Sequence, residues 1–142
     1  MGSKFEFSTE DLDKFSKQVG IDYHTLLKRV AFDIFGRIVM KTPVDTGRAR
    51  VSWNITIGTP DPSVAPEGQH PAMNRVSAEA KAGAALATLT ERGVLDVPIL
   101  ISNNLPYILE LENGHSTQAP EGMVALSIEE VNLKMNALSK VT

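Results

Sequence analysis

The sequence contains one triplet that could perform chemistry, Asp45-Thr46-Gly47. An aspartate in this triplet is the catalytic group of dimeric aspartic proteases, in which each copy supplies one carboxylate and the two share a proton. The same residues can instead form a turn, in which Asp45 or Thr46 accepts a local backbone hydrogen bond and Gly47 adopts a geometry that residues with a Cβ resist. Because the triplet follows a helical pattern and Thr42-Pro43 rather than an apolar strand, we favour a structural turn made by Pro43, Asp45, Thr46 and Gly47.

Other residue types that could carry chemistry are scattered along the chain. The three histidines, His24, His70 and His115, are far apart in sequence and have no metal-ligand spacing. Glu110 and Glu112 are two residues apart, so on a helix they point in different directions and form a poor acid–base pair. There is no cysteine nucleophile and no glycine-rich phosphate loop. We therefore expect a protein that is not an enzyme and that uses no metal or cofactor.

Basic residues gather where the helical pattern gives way to an extended one: Arg37, Lys41, Arg48 and Arg50. They can be interpreted as a solvated face. They can also be interpreted as a contact surface for an acidic partner, either DNA passing nearby or the glutamate-bearing segment around Glu110 in a neighbouring copy. The formal net charge of −3 and the pI of about 5.6 argue against a dedicated nucleic-acid-binding protein.

Length and composition indicate one domain spanning residues 1–142. A chain of 142 residues with 42% hydrophobic content can bury a real core. It contains no run of about 18 apolar residues, and its first residues lack the apolar region of a signal peptide, so we expect no membrane association and synthesis into the cytoplasm.

Several segments have helical character. In the longest, Asp22 is the candidate N-cap, apolar residues recur at helical spacing, and Pro43 ends the pattern. The alanine-rich segment has only Leu86 and Leu89 as large apolar residues, so we expect it to pack late or against a neighbouring chain. The predicted helices lie between Ser8 and Gly20, from Asp22 to Lys41, from Arg75 to Arg92, from Pro106 to Gly114 and from about Glu121 to Ser139.

Two segments have strand character. From Arg48 to Gly58 the residues alternate, which predicts a long strand with Trp53 facing the core and with Arg48 and Arg50 facing outward. The second strand is predicted within Asp96 to Asn104. The expected fold is α+β: a small antiparallel sheet packed against the long helix of the N-terminal half and a C-terminal helix. Residues 59–93 form an insertion between the strands, made of a proline-rich loop over residues 59–71 and the alanine-rich helix.

Three blocks, in this order, resemble the tail-completion and head-to-tail joining proteins of long-tailed phages. The first runs Thr42-Pro43-Val44-Asp45-Thr46-Gly47-Arg48 and on to Trp53. The second runs Asn103-Asn104-Leu105-Pro106-Tyr107-Ile108-Leu109-Glu110-Leu111-Glu112-Asn113-Gly114-His115-Ser116. The third, Gln118-Ala119-Pro120-Glu121-Gly122-Met123-Val124, precedes the closing helix. Together the blocks cover the chain from about Asp22 to Leu138, and the 59–93 insertion has no counterpart in the family pattern.

The resemblance implies a structural virion protein that forms a ring, commonly hexameric, at the neck of the particle. Like the related tail terminators, such a ring completes the tail and joins it to the head. Its partners would be further copies of itself, the tail tube protein and the head connector or stopper protein; DNA would pass through without sequence-specific binding. The protein would be assembled in the host bacterial cytoplasm and reside in the virion. The residues that we expect at its interfaces are Arg48, Arg50, Tyr107, Glu110, Glu112 and Gly114.

Overall fold

A computed structural model describes residues 9–92, 98–114 and 122–141 of the chain. Within these residues six helices accompany a two-stranded antiparallel sheet, which confirms the predicted α+β class. The helices are α1 (Thr9–Val19), α2 (Tyr23–Lys41), α3 (Arg48–Val51), α4 (Arg75–Arg92), α5 (Ile108–Glu112) and α6 (Val124–Val141), and the strands are β1 (Asn54–Ile57) and β2 (Ile99–Ser102).

Helix α2 is the centre of the fold, and α1, α4 and α6 all pack against it. It begins as the sequence predicts, because the Asp22 carboxylate accepts hydrogen bonds from the backbone N–H groups of His24 and Thr25 at 3.1 and 3.2 Å. Its apolar residues are buried along most of its length, and Phe35 and Val39 are completely inaccessible. The helix ends at Lys41, two residues before Pro43.

The alanine-rich helix α4, which was expected to pack late or against a neighbouring chain, belongs to the core of its own chain. Ala78, Ala82, Leu86 and Leu89 are buried, and α4 lies against both α2 and β1. Small side chains allow helix axes to approach closely, so an alanine-rich face can pack well without burying large residues. Lys81 also joins α4 to Trp53 by a hydrogen bond, since its Nζ donates to the carbonyl oxygen of Trp53.

The sheet is shorter than the alternating sequence suggests. The predicted strand Arg48–Gly58 is wrong in its first half, where residues 48–51 form the single helical turn α3, and only Asn54–Ile57 is a strand. It pairs antiparallel with β2, with Ile55 opposite Ile101 and Ile57 opposite Ile99. The apolar face of this pair packs on the core, while the proline-rich loop, which contains no helix or strand as predicted, follows β1.

Trp53 is buried, as predicted, and it is fastened to the end of α2. Its indole N–H donates to the Thr42 hydroxyl at 2.8 Å, and that hydroxyl donates to the carbonyl oxygen of Ile38 at 2.7 Å. The tryptophan, 4% exposed, therefore has its one polar atom satisfied within the core.

Helix α6 closes the fold against α1 and α2. Val131 and Met135 are buried, as their helical spacing predicts. No helix in the described ranges is long and apolar enough to cross a membrane.

Candidate functional site

The turn at Asp45-Thr46-Gly47 is held by a backbone hydrogen bond and by the Thr46 hydroxyl. Gly47 has a φ of +84°, and a Cβ there would lie 2.4 Å from the carbonyl oxygen of His70. The backbone N–H of His70 donates to the Thr46 carbonyl at 2.7 Å, and the Thr46 hydroxyl accepts from the N–H of Arg48 at 3.3 Å. Gly47 therefore has two reasons to be glycine, its left-handed geometry and the close approach of the loop. Asp45 is exposed at the tip.

Arg50 faces the protein interior, which corrects the prediction that it points outward. Its Nε donates to the Thr42 carbonyl at 2.9 Å, and its Nη1 and Nη2 donate to the carbonyls of Met73 and Met40 at 3.1 Å each. Partial burial lowers the pKa of Arg50 from its ordinary value. The guanidinium therefore caps the carbonyl end of α2 and ties it to the segment before α4.

Arg48 is also turned inward rather than outward. Its Nε donates to the Ala65 carbonyl at 2.8 Å, while the Ala65 N–H donates to the hydroxyl of Ser52 at 3.2 Å. Earlier in the same loop, the carbonyl of Asp61 accepts from the side-chain amide of Asn104 at 2.8 Å. The proline-rich loop is thus hydrogen-bonded to Arg48 and Ser52, and to Asn104 after β2.

The basic cluster predicted around the junction is divided among internal partners. Arg37 pairs with Asp33 at 2.8 Å and with Glu130 at 2.9 Å, and Lys41 also pairs with Glu130. Burial alone would raise the pKa of Asp33, but hydrogen bonds from Arg37 and Lys134 outweigh it and lower the pKa. The pKa of Glu130 is lowered chiefly by its bond to Lys41. Together with the carbonyl partners of Arg48 and Arg50, these pairs give all four basic side chains partners within the chain.

A cleft of about 500 Å³ opens beside the turn, and we call it the corner cleft. Residues 43 and 45–49 form one wall, Glu67 and Gly68 of the proline-rich loop form another, and Tyr107 and Leu111 complete it. The first and second sequence blocks therefore face each other across this cleft. The side chain of Asn103 links them directly, because its amide donates to the Ala49 carbonyl at 3.0 Å.

Glu112 joins the second block to the third. Its Oε1 accepts from the backbone N–H groups of Met123 and Val124 at 3.0 and 2.8 Å, and its Oε2 accepts from that of Ala125 at 3.1 Å. A carboxylate at this position satisfies the open donors of α6 and interacts favourably with its dipole. Gly122 lies close against the backbone of Glu112, since a Cβ on Gly122 would be 2.3 Å from the Glu112 carbonyl oxygen.

The remaining predicted site residues occupy separate positions. Glu110 is exposed on α5, and Gly114, with a φ of +86°, follows the end of that helix. The ring of His70 lies 2.6 Å from the Pro66 carbonyl, and that of His24 lies 3.7 Å from the Asp22 carboxylate, while His115 lies outside the described residues. Among the residues that the structure describes, no three His, Cys, Asp or Glu side chains gather closely enough to hold a metal ion.

Comparison with protein-family models, with curated proteins and with solved structures finds no match to this chain. The function must therefore be argued from the residues themselves. Sequence reasoning did not find the contacts of two residues, Asn103 at the site and Lys81 beside Trp53, although Asn103 begins the second block. Their backbone partners lie 54 and 28 residues away, and no local pattern signals such contacts.

Proposed function

We propose that this chain is a structural virion protein that completes a phage tail and joins it to the head connector, assembling as a ring at the neck. The proposal rests on the three sequence blocks. By these blocks the chain resembles tail-completion proteins, and in the folded chain the blocks also contact one another. That shared structural role supports the resemblance.

The observation that carries the proposal is that each of the three blocks contacts the next, in one part of the molecule. The first and second blocks meet across the corner cleft and through the bond from Asn103 to Ala49. The second and third blocks meet through the three bonds that Glu112 accepts at the start of α6. Such a pattern shapes a surface rather than assembling a nucleophile with a base, which suits a protein that works by contact.

The alternative is a dimeric aspartic protease, and it depends on Asp45 alone. A shared proton requires the carboxylate of a second copy within hydrogen-bond distance. Asp45 is exposed on a turn between two helices, with the corner cleft beside it. The alternative therefore makes a sharp prediction: Asp45→Asn abolishes peptide cleavage at acid pH and leaves the fold intact.

Assembly is the test of the leading proposal. The purified chain, alone and mixed with tail tube and connector proteins, is examined by multi-angle light scattering and negative-stain electron microscopy. We expect a closed ring or a specific complex with one of those proteins. A chain that stays monomeric and binds neither partner refutes the proposal, and pepstatin-sensitive cleavage that Asp45→Asn removes would favour the protease instead.

A matched pair of variants connects the assay to the corner cleft. Tyr107→Ala removes a half-buried aromatic side chain from the cleft wall, whereas Gln18→Ala changes an exposed position on α1. Aromatic residues in clefts contribute strongly to protein interfaces. We expect Tyr107→Ala to weaken the complex and Gln18→Ala to leave it unchanged, with the circular dichroism spectrum of both like that of the unaltered chain.

A further inference from the structure

Asn113 and Gly114 form the one Asn-Gly pair in the chain, and they lie where α5 ends. The backbone nitrogen that follows an asparagine can attack the Cγ of its side chain and displace ammonia. This reaction is fastest before glycine, because a Cβ on the following residue hinders the close approach that it requires. The pair is therefore a place where the chain can be modified without an enzyme.

The side chain of Asn113 is exposed and available for this reaction. Hydrogen bonds hold the side chains of four other asparagines: Asn54, Asn74, Asn103 and Asn104. Within the described ranges, no residue is hydrogen-bonded to the side chain of Asn113, and the same is true of Asn132, which is exposed on α6. Of these two asparagines, only Asn113 precedes glycine.

The folded backbone slows the attack but does not prevent it. Asn113 has a ψ of 9°, which turns the Gly114 nitrogen away from the Asn113 side chain, and the Gly114 N–H donates to the Leu111 carbonyl at 3.1 Å. The last turn of α5 must therefore open before the two groups can meet. Helix α5 has only five residues and none of them is fully buried, so this opening has a small free-energy cost.

We propose that Asn113 is the site at which this chain deamidates, and that opening of the last turn of α5 sets the rate. The Gly114 nitrogen gives up its proton to a base in the solvent and bonds to Cγ of Asn113. The side-chain nitrogen of Asn113 leaves as ammonia after taking up a proton, and a cyclic imide remains. Water then opens the imide at either carbonyl, which gives aspartate or isoaspartate with no oxidation or reduction. The inference does not depend on the proposed function.

The modification acts on the contact between the second and third blocks. Glu112, the residue before Asn113, accepts hydrogen bonds from the backbone N–H groups of Met123, Val124 and Ala125. Either product places a new negative charge at the carboxyl end of α5, where the helix dipole disfavours it. Isoaspartate also lengthens the backbone at this point by one carbon atom. Deamidation therefore loosens the hold of Glu112 on the start of α6.

Incubation of the full chain at neutral and mildly alkaline pH, followed by trypsin digestion and mass spectrometry, tests the assignment. Cleavage after Arg92 and Lys134 releases one peptide that contains both Asn113 and Asn132. We expect Asn113 to react at least about 10-fold faster than Asn132, which lies inside α6 and precedes leucine. Asn113→Ser should abolish the product, whereas Asn132→Ser should leave it unchanged. A sample digested before incubation gives the background.

Two comparisons test the role of α5. The released peptide has no stable helix to open, so we expect Asn113 to react about 10- to 100-fold faster in it than in the folded chain. Glu110→Gly weakens α5 and should speed the reaction in the folded chain about fivefold. Glu129→Gly makes the same change at an exposed position of α6 and should leave the rate at Asn113 unaltered. Circular dichroism checks that both variants fold.

Hydrogen exchange measures the consequence for α6. After deamidation, the amides of Met123, Val124 and Ala125 should exchange about fivefold faster, as expected when an N-terminal cap is weakened. Three results would overturn the inference: Asn132 or another asparagine reacts before Asn113, the folded chain and the peptide react at equal rates, or exchange at the start of α6 is the same before and after deamidation. None of these results bears on ring assembly, so the proposed function is tested separately.

Discussion

Replacing Thr42 by valine tests whether one hydroxyl joins the core tryptophan to the end of α2. The Thr42 side chain accepts from the indole N–H of Trp53 at 2.8 Å and donates to the carbonyl of Ile38 at 2.7 Å. Valine has nearly the same shape but cannot accept a hydrogen bond. The Ile38 carbonyl keeps its bond from the Thr42 backbone N–H at 3.1 Å, so the main loss falls on Trp53.

The expected cost is about 2 kcal/mol. A buried donor left without a partner costs about 1–3 kcal/mol, and both residues are deeply buried, with Thr42 1% and Trp53 4% exposed. The methyl group that replaces the hydroxyl would also sit closer to the indole nitrogen than a carbon atom can, so the tryptophan must shift slightly. Thr42→Ser is the control, because it keeps the hydroxyl and loses only a methyl group, at about 0.8 kcal/mol.

Urea unfolding followed by the fluorescence of Trp53, the one tryptophan in the chain, measures the effect directly. With a slope near 2 kcal/mol/M, Thr42→Val lowers the midpoint by about 1 M. Thr42→Ser lowers it by less than half as much. If valine proves as stable as the unaltered chain, or if serine proves the more damaging substitution, the hydroxyl does not have the role assigned to it.

Three further predictions concern other parts of the fold. Arg50→Lys destabilises by about 1–3 kcal/mol in urea unfolding, since an ammonium cannot reach three carbonyls as the guanidinium fork does; equal stability would show that the carbonyls are satisfied by water. Gly83→Ala raises the unfolding free energy by about 0.5–1 kcal/mol, because the new methyl meets open space in a helix interior; a loss of stability contradicts the geometry. The lowered pKa values of Asp33 and Glu130 give stability that is present above their unfolded values, near pH 4, and is lost as the pH falls through the folded ones. The stability gap between the unaltered chain and Asp33→Asn should therefore shrink in acid, and a gap that stays constant from pH 7 to about 2.5 refutes the linkage.

Features that depend on near neighbours in sequence could be predicted. The start of α2 follows from Asp22, whose carboxylate bonds groups two and three residues away. Its end follows from Pro43, and its course follows from apolar residues that recur at helical spacing. The left-handed geometry of Gly47 is likewise what a turn at that triplet requires. In each case the deciding interaction spans a few residues, so the sequence pattern contains it.

The strand at Arg48 could not be separated from a helical turn by the pattern alone. Alternation over residues 48–57 is real, but four residues are too few for a period to distinguish the two structures. Tertiary hydrogen bonds decide between the two structures. As a helical turn, α3 brings Arg50 to the carbonyls of Met40, Thr42 and Met73. Those acceptors are 8 to 23 residues away, and they override the local preference for an extended chain.

The placement of α4 illustrates a second limit. Composition identified it as a helix, but its few large apolar residues suggested that it packs late or against a neighbouring chain. Alanines contribute little by burial, yet their size determines how near α4 can come to α2 and β1. That benefit depends on the shape of the neighbours, such as Gly36 on α2, which lies beside the Arg75 side chain of α4. A hydrophobicity scale that is applied to one segment at a time does not include this packing benefit.

Charge is the property for which the sequence prediction was least accurate. Arg37 and Lys41 are close to Arg48 and Arg50 in sequence, so the junction looked basic. Folding brings Glu130 to the first two from 93 and 89 residues away, and it gives the other two carbonyl partners. Arg29, Arg75 and Lys134 come from three separate helices and line one open groove, so no run in the sequence brings them together. A net charge of −3 therefore says little about how charge is distributed over the folded surface.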